Sequence, residues 1–173
     1  MIRIVSPFLF LHTSLLCTFG GVHNEQRIHL PEKSYDGYGK VKDKIEEKKI
    51  IGLYFSASWC STCRKFTPKL IDFRNQNLID FEVILIGAER SKDAQLKYMQ
   101  KFQMPWYAVD SQSKENQKVR QSVRKMLNLE FVPLPSLIIL DKDGKILSAT
   151  GKRDVVELGN NAISAWKELA KQG

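Results

Sequence analysis

A chain of 173 residues with 43% hydrophobic and 27% charged residues has the balance of an ordinary globular protein, and its length fits one domain with a short extension. A domain of that size builds a core without a structural disulfide or metal, and three cysteines are too few for a disulfide-stapled scaffold. The net charge of +8 is spread over scattered lysines such as Lys40, Lys42, Lys44, Lys92, Lys97 and Lys101, with no dense basic tract interleaved with aromatics; nucleic acid is therefore not an expected partner, while a mild preference for acidic partners stays open.

Residues 1–20 differ from the rest. Arg3 precedes an apolar run from Ile4 to Phe19, broken by Pro7 and His12, and Thr18-Phe19-Gly20 offers small residues for cleavage. The pattern is that of a secretory signal peptide followed by a folded domain over 24–173; a disordered extension is the other reading. The uninterrupted apolar part is shorter than the ~20 residues of a membrane span, so stable membrane insertion is not expected. The compartment follows the signal: the secretory pathway or secretion if it is real, the cytoplasm otherwise.

A short strand is expected near Ile28 to Leu30. Residues 38–48 have helical spacing, with Tyr38, Val41 and Ile45 on one face. Residues 50–55, Ile-Ile-Gly-Leu-Tyr-Phe, are nearly all apolar and read as a central strand covered on both faces. Trp59-Cys60-Ser61-Thr62-Cys63 then leads into an amphipathic helix over 61–77, with a kink expected at Pro68. Two cysteines at this spacing can close a disulfide and reopen it. At a helix N-terminus the first sulfur sits beside unpaired N–H groups and a partial positive charge, which favour the thiolate, the attacking species.

Residues 81–87 read as a second buried strand. Helices are predicted over 91–102, with Ser91 as N-cap, and over 114–127. Strands at 137–140 and 145–149 are joined by Asp141-Lys142-Asp143-Gly144, whose Asp-Gly marks a hairpin. One helix over 154–171 closes the pattern, with Val155, Leu158, Ala162, Ile163, Trp166 and Leu169 on its apolar face. The order predicts a single α/β sheet with helices on both faces, parallel in its first pairs and antiparallel in its last hairpin. His12, His23 and His29 all precede the cysteine pair and are given no catalytic role.

Several stretches together carry a family resemblance. They are Leu53-Tyr54-Phe55-Ser56-Ala57-Ser58-Trp59-Cys60, Cys63-Arg64, Phe66-Thr67-Pro68, Met104-Pro105-Trp106-Tyr107-Ala108 and Leu134-Pro135-Ser136-Leu137-Ile138-Ile139. With these the chain resembles the thioredoxin superfamily, and within it the tryparedoxin and nucleoredoxin branch, over roughly residues 25–171. The resemblance implies a thioredoxin-like α/β fold with a central mixed sheet. It also implies a thiol–disulfide oxidoreductase acting on protein disulfides with a dithiol donor or acceptor, as a monomer and without a cofactor.

Three departures stand out. Ser61-Thr62 replaces the Pro-Pro usual between the cysteines of this branch, which removes stiffening and brings hydroxyls that could bond a sulfur. Tyr54 stands where thioredoxins carry a buried aspartate. Lys65 replaces a small residue and, with Arg64, adds positive charge near the sulfurs, favouring the thiolate.

The mechanism implied makes Cys60 the nucleophile and Cys63 the resolving thiol. A structural disulfide and a zinc site are the bland alternatives; one CxxC supplies only two metal ligands and no second Cys/His pair has suitable spacing. A cis-proline is expected at Pro135, with Pro133 the competitor, presenting the Leu134 backbone to an extended substrate. Trp59 is expected as a substrate platform. Trp106 is expected either as the opposite wall of the groove or as core, and Trp166 as core. Arg153 matches a basic position of the branch or is simply solvated. The alternative function is a redox-regulated binding module of nucleoredoxin type with little turnover, which Cys60→Ser would separate from an enzyme.

Overall fold

The computed structural model describes residues 27–42 and 50–172. The expected signal over 1–20 and residues 43–48 of the expected first helix lie outside them. The elements in chain order are β1 (Ser34–Tyr35), β2 (Val41–Lys42), β3 (Ile50–Ser56), α1 (Ser61–Gln76), β4 (Phe81–Gly87), α2 (Lys92–Phe102), β5 (Tyr107–Val109), α3 (Lys114–Met126), β6 (Ser136–Asp141), β7 (Ile146–Ser148), α4 (Gly151–Leu158) and α5 (Asn161–Lys171). The strands form one mixed sheet in the order β2-β1-β5-β4-β3-β6-β7.

The centre of the sheet follows from the apolar runs. β3 pairs in parallel with β4, Ile50 opposite Phe81, and antiparallel with β6, Ile50 opposite Asp141. Alternation sorts its side chains to the two faces. Ile50 and Tyr54 of β3 join Phe81, Val83 and Leu85 of β4, where α1, α2, α4 and α5 supply Phe66, Leu70, Phe73, Tyr98, Val155 and Trp166. Ile51, Leu53 and Phe55 join Ile84 and Ile86 on the other face, covered by Val119 and Val123 of α3. This is the thioredoxin-like α/β fold expected, with parallel early pairing and an antiparallel β6–β7 hairpin. Trp166 is 1% exposed and packs on Phe73 and Phe81 with both ring centroids 5.7 Å away; burying a side chain of that kind contributes about 1.5–3 kcal/mol.

Four local expectations are corrected. Residues 28–30 are not a strand, although Ile28 is buried and its N–H donates to the Gly144 carbonyl at 2.8 Å. Residues 38–42 do not begin a helix. The Asp36 carboxylate accepts from the N–H groups of Tyr38 and Lys40, and Gly39 adopts φ +82°, so the chain turns back as a β1–β2 hairpin. Tyr38, placed on one helix face with Val41 and Ile45, is exposed in the turn of that hairpin. The closing helix is two helices, broken at Gly159 with φ +53°. The break resets the helical phase, and Leu158 and Leu169 end up 47% and 41% exposed instead of core.

Other boundaries agree closely. β4 spans the residues expected of it, and Ser91 caps α2, its side chain accepting from the Ala94 N–H at 3.1 Å. α1 runs on through Pro68.

Candidate active site

β3 ends at Ser56 directly below the turn that leads into α1. The Cys60 N–H donates to the Ala57 carbonyl at 3.2 Å, which closes that turn. Cys60 is then the N-cap of α1: its backbone is extended, and its sulfur accepts from the Cys63 N–H at 3.1 Å. A sulfur takes the position where a serine or aspartate oxygen usually caps a helix, so a helix-terminal N–H points at the atom expected to carry charge. The first turn contains no acidic residue that would compete for this field.

Cys60 and Cys63 form a disulfide, with Cα atoms 5.2 Å apart. The pair is asymmetric. Cys60 retains 8% exposure and Cys63 none. Thr62 Oγ1 lies 3.3 Å from Cys60 Sγ, so one of the two hydroxyls between the cysteines does reach a sulfur. Ala57, Ala88 and Leu134 pack around the pair and leave it a small apolar surround.

Beneath Cys63 the polar groups are hydroxyls. Tyr54 Oη donates to the Cys63 carbonyl at 3.3 Å and lies 2.9 Å from Thr67 Oγ1, and Tyr98 Oη links Thr67 to Ser56 with 3.0 Å contacts to each. Burial pushes the Tyr54 phenol well above its ordinary range, so it stays protonated across working pH. Tyr54 thus places a neutral donor where the resemblance places a carboxylate.

The Leu134–Pro135 peptide bond is cis, which decides between the two prolines. Leu134 reaches the cysteines, and Ser136 Oγ donates back to the Pro133 carbonyl at 2.7 Å across the loop. Trp59 is 63% exposed, and its indole N–H donates to the Ala88 carbonyl at 3.3 Å. Of the two places expected for Trp106 the structure shows the core one: it is 1% exposed and meets the Tyr54 ring edge-on at 6.1 Å. Arg153 is exposed, 3.9 Å from Glu157, a weak surface pair.

Glu89 is the residue that sequence reasoning missed. It is buried, and its carboxylate accepts from both the backbone N–H and the hydroxyl of Ser58. Arg64 donates to the Ser58 carbonyl at 2.7 Å from the other side, and Gln112 holds the Glu89 carbonyl at 2.7 Å. Ser58 is therefore fixed at all its polar groups, two residues before Cys60. The available signal was a carboxylate just past the carboxyl end of an apolar strand, the edge where α/β sheets place their sites.

A family model described as Thioredoxin-like matches residues 47–146. The chain is 30% identical over 139 residues to the probable nucleoredoxin 1 of Arabidopsis thaliana, covering 79% of this chain and 23% of that protein. It is 32% identical over 121 residues to the tryparedoxin of Trypanosoma brucei brucei, covering 68% of this chain and 79% of that one. Native tryparedoxin I from Crithidia fasciculata superposes with a TM-score of 0.60 at 32% identity, covering 75% of this chain and 87% of that structure. The chain spans about a quarter of the length of the nucleoredoxins it matches. It belongs to the thioredoxin-like oxidoreductase family, with nucleoredoxins and tryparedoxins as its relatives.

Proposed function

We propose that this protein is a thiol–disulfide oxidoreductase that acts on disulfides of partner proteins through Cys60 and Cys63. The observation that carries the reading is the asymmetry of the pair: an N-capping sulfur on a residue that keeps 8% exposure, and a second cysteine that keeps none. In the reducing direction the Cys60 thiolate attacks one sulfur of the partner's disulfide. The S–S bond breaks, the departing sulfur takes a proton, and a mixed disulfide remains. Cys63 gives up its proton and attacks Cys60 Sγ, closing the intramolecular disulfide and releasing the second partner thiol. Two electrons pass to the partner, and a separate dithiol restores the reduced pair.

Leu134, turned by the cis bond to Pro135, presents its backbone for strand-like pairing with the substrate, and Trp59 supplies an exposed apolar platform beside the sulfurs. The protein acts as a monomer and needs no cofactor. If residues 1–20 export the chain, the working direction is oxidation or isomerisation; in a cytoplasm it is reduction.

The test is trapping. Cys63→Ser, mixed with an oxidised protein substrate, should accumulate a mixed disulfide at Cys60 detectable by intact mass, while Cys60→Ser should form none and lose turnover. Retained turnover in Cys60→Ser would overturn the reading. Full partner binding with no turnover in the wild-type protein would favour a redox-regulated binding module instead.

A further inference from the structure

A hollow of about 240 Å³ opens beside the redox pair, lined by Thr62, Lys65, Phe66, Lys69, Lys152 and Val156. Thr62 stands between the two cysteines, with its hydroxyl 3.3 Å from Cys60 Sγ. Through Thr62 the hollow adjoins Cys60 Sγ, and it runs between α1 and α4. Phe66 is buried and Val156 half-exposed, so it has apolar surface, and half of its lining residues are lysines.

Lys65, Lys69 and Lys152 are exposed, and none makes a hydrogen bond or ion pair with a described residue. Three lysines elsewhere do pair: Lys142 meets Asp143, Lys167 meets Asp80 and Lys171 meets Glu168. Two of the acids nearby are engaged. Glu157 faces Arg153, and Asp154 accepts from Ser148, Thr150 and Trp166. Asp72 lines an adjoining hollow with Lys69, one turn further along α1.

This arrangement works against helix stability. Lys65 and Lys69 are like charges at i and i+4, and positive charge near a helix N-terminus opposes the macrodipole. A counter-charge would relieve both effects, and the chain supplies none in the first turn of α1.

We propose that the hollow receives an acidic segment of the partner protein, so that disulfides flanked by carboxylates are preferred substrates. This rests on the exchange reading above. The uncompensated positive field speeds encounter with such a segment, and salt weakens it.

The experiment mixes the reduced protein with three disulfide-bridged peptides that differ only in carrying Glu, Gln or Lys beside the cysteines. Alkylation quench gives each rate constant. At about 10 mM salt the acidic peptide should react about tenfold faster than the neutral one, with the basic peptide slower still, and the spread should shrink in about 0.5 M salt. In Lys65→Gln/Lys69→Gln/Lys152→Gln the acidic-to-neutral ratio should fall within about twofold of one. The ratio cancels any change that Lys65 makes in Cys60 reactivity. Lys114→Gln/Lys118→Gln/Lys125→Gln removes the same charge from α3, on the other face of the sheet, and should leave the ratio unchanged.

Equal rates for acidic and neutral peptides would overturn the proposal while leaving the exchange chemistry intact. So would an equal loss in the α3 variant, which would assign the effect to net charge. No reaction with the neutral peptide would sink the exchange reading itself.

Discussion

The Glu89 carboxylate holds the N–H and hydroxyl of Ser58 while Arg64 takes its carbonyl, so one residue near Cys60 is gripped from two sides. Glu89→Ala leaves the Ser58 N–H without its acceptor. A loss of about 1–3 kcal/mol is expected in urea unfolding, together with slower disulfide exchange, because the Trp59-Cys60 turn is no longer held. Unchanged stability and unchanged exchange would show that Glu89 does not position the turn. Cys60 and Cys63 were legible because their chemistry is written in their spacing. Glu89 was not, because its partner lies 31 residues away and only the fold joins them. Trp106 shows the same limit. A tryptophan after a helix serves a groove wall or a core equally well, and which one holds is decided by the Tyr54 ring beside it.

At the scale of elements, period and composition located the interior of the sheet and its β7 edge, and missed the β5, β1 and β2 side. β3, β4 and β6 are long apolar runs whose pattern announces them. β5 has three residues and β1 and β2 have two each, too short to show alternation, and they exist because β4 offers β5 a parallel partner and β5 offers β1 an antiparallel one. The closing helical segment read as one helix because its apolar spacing nearly continues through Gly159, whose φ of +53° ends α4. α5 returns Trp166 onto Phe73 of α1 and Phe81 of β4, tying α1 to the sheet. Trp166→Ala should cost about 3–5 kcal/mol, with the thermal midpoint falling by about 6 °C or more. A change below about 1 kcal/mol would mean that α5 does not anchor this face.

At the scale of the whole, the described residues form a sheet covered on both faces, and the end of β3, the start of α1, the loop after β4 and the cis-proline loop converge around the cysteine pair. That convergence was expected from the family resemblance more than from any one segment, since four distant stretches must meet to form it. A structural disulfide would give the same connectivity, so the central claim turns on redox poise. The most direct measurement equilibrates the protein from about residue 24 onward in dithiol buffers of graded ratio and reads the alkylated mass. An exchange-active pair should titrate as one two-electron couple between about −270 and −180 mV. A pair still oxidised below about −300 mV, the range of structural disulfides, would contradict it.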